Sequence, residues 1–174
     1  MRVGLLGGSF NPPHEGHLHV ARVAQRALGL HRVLWLVSPQ NPLKGERAAP
    51  LDQRIAETQR LADGPRDSVT GIEAQLGSPY TVHTVAWLKR RYPGVRFFWL
   101  MGTDNLVGLH RWRRWRELPG LIETLIVPRP GSTVRGRLAP GGRLLLKSGR
   151  SRVMETPLVS ASSTALRKHA KGGR

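Results

Sequence analysis

Gly7-Gly8-Ser9-Phe10-Asn11-Pro12-Pro13-His14-Glu15-Gly16-His17 follows directly on the apolar run Val3-Gly4-Leu5-Leu6. An apolar run ended by glycines predicts a buried strand over Met1–Ser9. Asn11 is a candidate helix N-cap, and Pro12 or Pro13 suits a first helical turn. Val20, Val23, Ala24 and Ala27 then recur at helical spacing, so a helix is predicted over His14–Leu28, stopped near Gly29. A strand that hands the chain through a glycine turn to a helix N-terminus brings backbone N–H groups and the positive helix end to one point, the geometry of an anion site. His14 and His17, at i and i+3, share one face of that first turn.

Outward from this stretch, strands and helices alternate. Arg32–Ser38 reads as a second apolar strand, and Pro39–Pro50 as a loop. Leu51–Ala62 reads as a helix, Ser68–Ile72 as a short strand and Thr81–Arg91 as a helix ended at Pro93-Gly94. Val95–Met101 is a strongly apolar strand with a helix from about Asp104, and a second short helix is expected around Trp115. Leu121–Val127 is another strand. Leu144–Leu146 and Arg152–Glu155 are predicted as short strands, and Ser162–Ala170 as a closing helix. The alternation predicts a Rossmann-like, doubly wound parallel sheet of the α/β class, in a single domain spanning residues 1–174. Such sheets bind ligands beyond the carboxyl ends of their strands. Three segments begin at or just past such ends: Gly7–His17, Pro39–Lys44 and Gly102–Trp112.

Composition narrows the class. The chain has 174 residues, 39% of them hydrophobic, enough for a packed core. No apolar stretch approaches the roughly 20 residues that span a bilayer, and from its strand-like opening run the chain is expected to carry no signal peptide. The absence of cysteine excludes disulfides, thiolate metal sites and cysteine nucleophiles, and agrees with a cytoplasmic location. The formal charge of +17 has two readings, a nucleic-acid footprint or an attraction for small phosphorylated substrates. Basic clusters lie at Lys89-Arg90-Arg91 and from Arg111 to Arg116, but no base-reading motif accompanies them. The reading taken is phosphate handling, with no nucleic-acid partner and no membrane partner. Oligomeric state is left open.

Read locally, several residues admit more than one role. His14 and His17 are a possible metal pair, but a zinc-binding His-Glu-x-x-His helix needs four residues of separation and here there are three. They are also possible cap or core histidines. Their position after a glycine turn favours donation to a phosphate, with Gly16 leaving room for ligand or for close helix–sheet packing. Ser162 or Ser163 caps a helix start, with Thr164 beside it and Arg167 about one turn on. Trp112 is core or surface, Thr81 and Asp104 are ordinary caps, and Lys44 is a loop charge, when each is taken alone.

Together these segments carry a resemblance. Ser9-Phe10-Asn11-Pro12-Pro13-His14-Glu15-Gly16-His17 is similar to the (T/S)-F-(N/D)-P-x-H-x-G-H signature of the nucleotidylyltransferase superfamily. Ser162-Ser163-Thr164-Ala165-Leu166-Arg167 resembles its I-S-S-T-x-(I/L)-R signature, with Ala161 where isoleucine is usual. Gly102-Thr103-Asp104-Asn105-Leu106 with Trp112, Pro79-Tyr80-Thr81-Val82-His83-Thr84, and Asn41-Pro42-Leu43-Lys44 resemble segments of the bacterial nicotinate-nucleotide adenylyltransferases. The resemblance implies adenylyl transfer from ATP to nicotinate mononucleotide, giving nicotinate adenine dinucleotide and pyrophosphate. The alternatives are another phosphate acceptor, nicotinamide mononucleotide or phosphopantetheine, or a nucleic-acid-binding protein that kept the fold. It implies His14 and His17 as catalytic groups and Gly8, Ser9, Phe10, Gly102, Asp104, Ser162, Ser163, Thr164 and Arg167 as further ATP-binding residues. Asn11, Lys44, Thr81, Thr84 and Trp112 are implied on the acceptor side. Mg²⁺ is expected to arrive with the triphosphate, without a protein metal site.

Overall fold

A computed structural model describes residues 1–39 and 48–156. Its six strands, β1 (Arg2–Gly8), β2 (Arg32–Val37), β3 (Asp67–Thr70), β4 (Arg96–Gly102), β5 (Glu123–Val127) and β6 (Ser151–Val153), form one sheet in the order β3-β2-β1-β4-β5-β6. Every pairing is parallel: Leu5 of β1 lies opposite Leu34 of β2 on one side and Trp99 of β4 on the other. This is the doubly wound α/β arrangement the alternation predicts, with its switch point where β1 meets β4.

Eight α-helices connect the described strands: α1 (Glu15–Leu28), α2 (Leu51–Leu61), α3 (Ile72–Gln75), α4 (Thr81–Arg91), α5 (Thr103–Gly108), α6 (Leu118–Leu121), α7 (Thr133–Leu138) and α8 (Pro140–Lys147). Single 3₁₀ turns at Leu109–Arg111 and Trp115–Glu117 link α5 to α6. Both sheet faces are covered. On one, Val20, Ala21 and Ala24 of α1 pack with Trp35, Val33 and Leu100; on the other, Val82 and Val85 of α4 pack with Leu5, Trp99 and Met101. Fully burying a side chain the size of Val82, Leu5 or Met101 stabilises by about 1.5–3 kcal/mol before chain entropy is set against it.

The elements depart from expectation at defined places. The first helix is capped by His14, not by Asn11. His14 is extended (φ −156°, ψ 166°) and its Nδ1 accepts from the Gly16 N–H, while the His17 Nδ1 accepts from the His14 N–H. The Asn11 Oδ1 instead accepts from the Ala49 N–H at 3.2 Å, tying the loop after β1 to the chain entering α2. Neither Gly7 nor Gly8 takes a left-handed conformation; that falls on Phe10, at φ 43°. Leu144–Leu146, expected as a strand, lies inside α8, because Pro140 starts a helix there and a three-residue apolar run carries no period. α7 was not expected either. It exists through backbone contact: a Cβ on Gly142 would overlap the Gly136 carbonyl oxygen, and one on Gly136 would overlap that of Thr103. The strand expected at Ser68–Ile72 ends at Thr70, and Ile72 begins α3. No helix among the described residues is long and apolar enough to cross a membrane.

Candidate active site

At the carboxyl end of β1, Phe10 turns the chain toward α1. Its ring is buried (1% exposed), edge-on to the His17 imidazole at 4.9 Å and tilted against Trp35 at 5.5 Å. The His14 and His17 rings stack, with centroids 3.8 Å apart and planes 27° from parallel. Because each Nδ1 accepts a backbone N–H, the proton of each neutral ring is assigned to Nε2. The caps therefore orient two N–H donors side by side at the positive end of α1.

The carboxyl ends of β4 and β5 close against the same helix end through Arg129, which sequence reasoning did not single out. Arg129 is buried (7% exposed) and stands directly beneath Gly16: a Cβ on Gly16 would overlap its guanidinium. Its Nε is 3.8 Å from Asp104 Oδ1, and its backbone N–H donates to Thr103 Oγ1 at 2.8 Å. Thr103 Oγ1 is also 2.9 Å from Ser132 Oγ, so the loop after β5 is anchored to the start of α5. Gly102 caps α5, and a Cβ there would meet Arg129 Cγ at 2.9 Å and overlap the Asp104 carboxylate. The glycine at 16 and the arginine after Pro128 were both legible as residues, but their adjacency belongs to the sheet order. Among the predicted residues, the fold thus brings Gly8, Ser9, Phe10, His14, His17, Gly102 and Asp104 to neighbouring strand ends. Lys44, Ser162, Ser163, Thr164 and Arg167 lie outside the described residues.

A second group of predicted residues meets across α4. No side chain among the described residues caps this helix, whose first residue, Thr81, is half-buried. The Arg113 guanidinium lies over the Tyr80 ring at 5.5 Å, joining the segment before Thr81 to the one after Trp112. Trp112 is half-buried and edge-on to the buried Trp99, with centroids 6.2 Å apart. Thr84 is fully buried, and its hydroxyl donates to Glu73 Oε1 at 3.1 Å. That places Thr84 behind the helix terminus rather than on an open surface. Glu73, also missed by sequence reading, is 4% exposed, and burial pushes its carboxyl up to about 7 against the smaller opposing pull of the Thr84 hydrogen bond. Three residues into α4, Thr84 thus links it to α3.

Among the described residues no three His, Asp or Glu side chains gather in a group able to hold a metal ion. The sequence profile of the cytidylyltransferase-like family matches residues 5–169. A probable nicotinate-nucleotide adenylyltransferase of Cereibacter sphaeroides is 54% identical over 143 residues, covering 82% of this chain and 76% of that relative. One from another strain of that species is 47% identical over 182 residues, covering 96% and 97%. Among solved structures, Plasmodium falciparum nicotinic acid mononucleotide adenylyltransferase complexed with NaAD superposes with a TM-score of 0.78 at 16% identity, over 96% of this chain and 82% of that one. A putative nicotinate-nucleotide adenylyltransferase from Vibrio parahaemolyticus gives 0.60 at 19% identity, over 86% and 98%. At these identities the structural matches speak to the fold.

Proposed function

The chain belongs to the cytidylyltransferase-like family, and from that premise we propose that it transfers the adenylyl group of ATP to nicotinate mononucleotide, releasing pyrophosphate. The observation that carries this reading is the stacked His14–His17 pair, whose Nδ1 atoms cap α1 and whose Nε2–H groups are thereby aimed as donors. The relatives' names, and the NaAD bound to the Plasmodium enzyme, support the acceptor.

In this reaction a phosphate oxygen of the acceptor attacks the α-phosphorus of ATP. The bond from that phosphorus to the oxygen bridging the β-phosphate breaks, and pyrophosphate departs with the electron pair. The nucleophile is already an anion, so no general base is required, and catalysis reduces to alignment and charge stabilisation. His14 and His17 donate to the oxygens on which charge grows. The backbone of Gly8, Ser9 and Phe10 approaches the α-phosphate. Arg129 adds a buried cation beside the same helix end, Gly102 permits close approach, and Asp104 accepts from the adenosine ribose. On the acceptor side Asn11, Thr81 and Trp112 line the pyridine nucleotide, and Thr84 positions α4 through Glu73. Ser162, Ser163, Thr164 and Arg167 join the ATP site, and Lys44 the acceptor side, on their motifs alone.

Mg²⁺ enters as part of the MgATP substrate. Among the described residues, the histidine donors, the α1 terminus and Arg129 contribute charge stabilisation beside it. The +17 charge concentrates anionic substrates by long-range attraction and requires no nucleic-acid partner. A pyrophosphate-release assay with ATP and a panel of nicotinate mononucleotide, nicotinamide mononucleotide and phosphopantetheine tests the reading. Nicotinate mononucleotide is expected to give the highest kcat/KM; no release with it, or a clear preference for another acceptor, refutes the assignment.

A further inference from the structure

Arg54 of α2 is 1% exposed, yet no carboxylate among the described residues pairs with it. Its partners are carbonyl oxygens. Nε donates to Ala49 at 2.7 Å, Nη1 to Ser9 and to Ser38 at 2.7 Å each, and Nη2 to Pro39 at 2.7 Å. Burial lowers its tendency to hold the proton, but a guanidinium stays charged in any folded protein. The result is a positive charge inside the molecule, satisfied by dipoles and neutralised by no counter-ion among the described residues. Such a residue is expensive to bury, and an apolar replacement would leave four carbonyl oxygens without their donor.

Its location gives it another role. The four carbonyls belong to two loops: Ser9 lies after β1, and Ser38, Pro39 and Ala49 lie between β2 and α2. The Ser9 contact matters most. The Ser9–Phe10 peptide is trans, since Asn11–Pro12 is the one cis bond among the described residues. In a trans peptide the carbonyl and the N–H point in opposite directions, so holding the Ser9 oxygen on Arg54 turns the Phe10 N–H away from the guanidinium. Phe10 is also the non-glycine residue at φ 43° in this loop, a conformation that persists only where neighbours over-determine it. Arg54 is such a neighbour, and the Phe10 ring wedged between His17 and Trp35 is another.

We propose that Arg54 is a positioning residue for the polyphosphate of the nucleotide substrate: its guanidinium clamps the two loops, fixes the Ser9–Phe10 peptide with its N–H directed at the phosphates, and leaves a net positive charge behind them. The proposal rests on the adenylyl-transfer reading only in naming the phosphates as those of ATP.

Arg54→Met removes both charge and fork; Arg54→Lys keeps the charge but presents no planar fork. Each variant is checked by circular dichroism and thermal melting, then assayed well below its Tm for kcat, KM for MgATP, and Kd for inorganic tripolyphosphate. Arg54→Met is expected to lower kcat by about 10²-fold, the scale of losing one aimed donor, and to weaken tripolyphosphate roughly tenfold or more. Arg54→Lys is expected to recover most of the tripolyphosphate affinity and little of kcat, a split that loss of stability alone does not produce. Two folded variants with wild-type kcat and wild-type tripolyphosphate affinity would overturn the proposal. If Arg54→Met does not fold, Arg54→Lys decides by the same criteria. If neither folds, the unaltered chain decides: the ¹⁵N–¹H resonance of Phe10 must move on titration with tripolyphosphate, and its failure to move overturns the assignment. An unaltered chain that passes this titration but forms no dinucleotide from nicotinate mononucleotide would refute the acceptor and leave Arg54 in place.

Discussion

Gly16 and Arg129 compete for one volume. The Gly16 position on the first turn of α1 has no room for a methyl group because the Arg129 guanidinium, carried from the end of β5, already fills it. An alanine there would gain helix propensity in isolation, by up to about 1 kcal/mol, and would have to displace a cation that is only 7% exposed. Gly16→Ala is therefore expected to keep its secondary structure, with Tm changed by only a few degrees, yet to lose on the order of tenfold or more in kcat/KM for MgATP, because the displaced group is a side-chain terminus at the proposed phosphate site. Steady-state kinetics beside a thermal melt check this. Full activity in Gly16→Ala would remove Arg129 from the proposed machinery.

His17 has two separable duties, a cap through Nδ1 and a donor through Nε2. His17→Ala loses both. The cap accounts for about 0.5–2 kcal/mol of stability, whereas the donor accounts for about 10²–10³ in kcat. His17→Asn offers a shorter side-chain acceptor to the His14 N–H. It is expected to regain part of the stability and little of the turnover. If the two properties recover together, capping alone explains the residue.

Trp112 faces the pyridine ring in the proposed reading and packs edge-on against Trp99 in the structure. Its half-buried state allows both, since one edge of the indole meets the core and the remainder is accessible. Trp112→Ala is expected to raise KM for nicotinate mononucleotide by roughly tenfold and leave KM for MgATP within about threefold, following the 1–3 kcal/mol scale of an aromatic base stack. The unaltered enzyme is expected to prefer the nicotinate over the nicotinamide form by about 10- to 100-fold, because an amide NH₂ set against N–H donors leaves polar groups unmatched. An unchanged acceptor KM in Trp112→Ala would make the indole a core residue.

Glu73 makes stability depend on pH in an unusual direction. Its carboxyl sits at about 7 in the folded chain against 4.5 for the free group. Between those values the folded chain holds a proton that the unfolded chain has released. The contribution is complete below about pH 4.5 and is lost as pH rises through about 7. Glu73→Gln keeps an oxygen to accept from Thr84 and has no charge to bury. Relative to the unaltered chain it is expected to be more stable at pH 8 than at pH 5, by an increment on the order of a few kcal/mol. Urea unfolding of both proteins at the two pH values gives that increment directly; equal differences at pH 5 and pH 8 would contradict the burial argument.

Much of this protein is written in local pattern. The apolar run before Gly7, the helical spacing of Val20, Val23, Ala24 and Ala27, and the strongly apolar Phe97–Met101 sufficed for a parallel α/β sheet, because burial on both faces of such a sheet imposes continuous apolar strands. The histidine motif at the start of α1 marked the site, since i and i+3 on a first turn share a face whatever the rest of the chain does. Local pattern failed where the decisive neighbour is distant in sequence. Asn11 is a candidate cap by residue type, but Ala49 supplies it with a different partner, and the first turn takes its caps from His14, which accepts from the Gly16 N–H, and His17, which accepts from the His14 N–H. Leu144–Leu146 has no period of its own, and its helix depends on Gly136 and Gly142 letting backbones touch. Arg129, Glu73 and Arg54 read as ordinary polar residues. Only the sheet order brings the end of β5 to α1, stacks α3 behind α4, and folds four carbonyls from two loops around one guanidinium. A sequence determines which residues seek burial and which elements they form; which polar groups they bury together, and hence where charge is held and proton affinity shifted, follows from long-range contacts that exist only once the sheet has assembled.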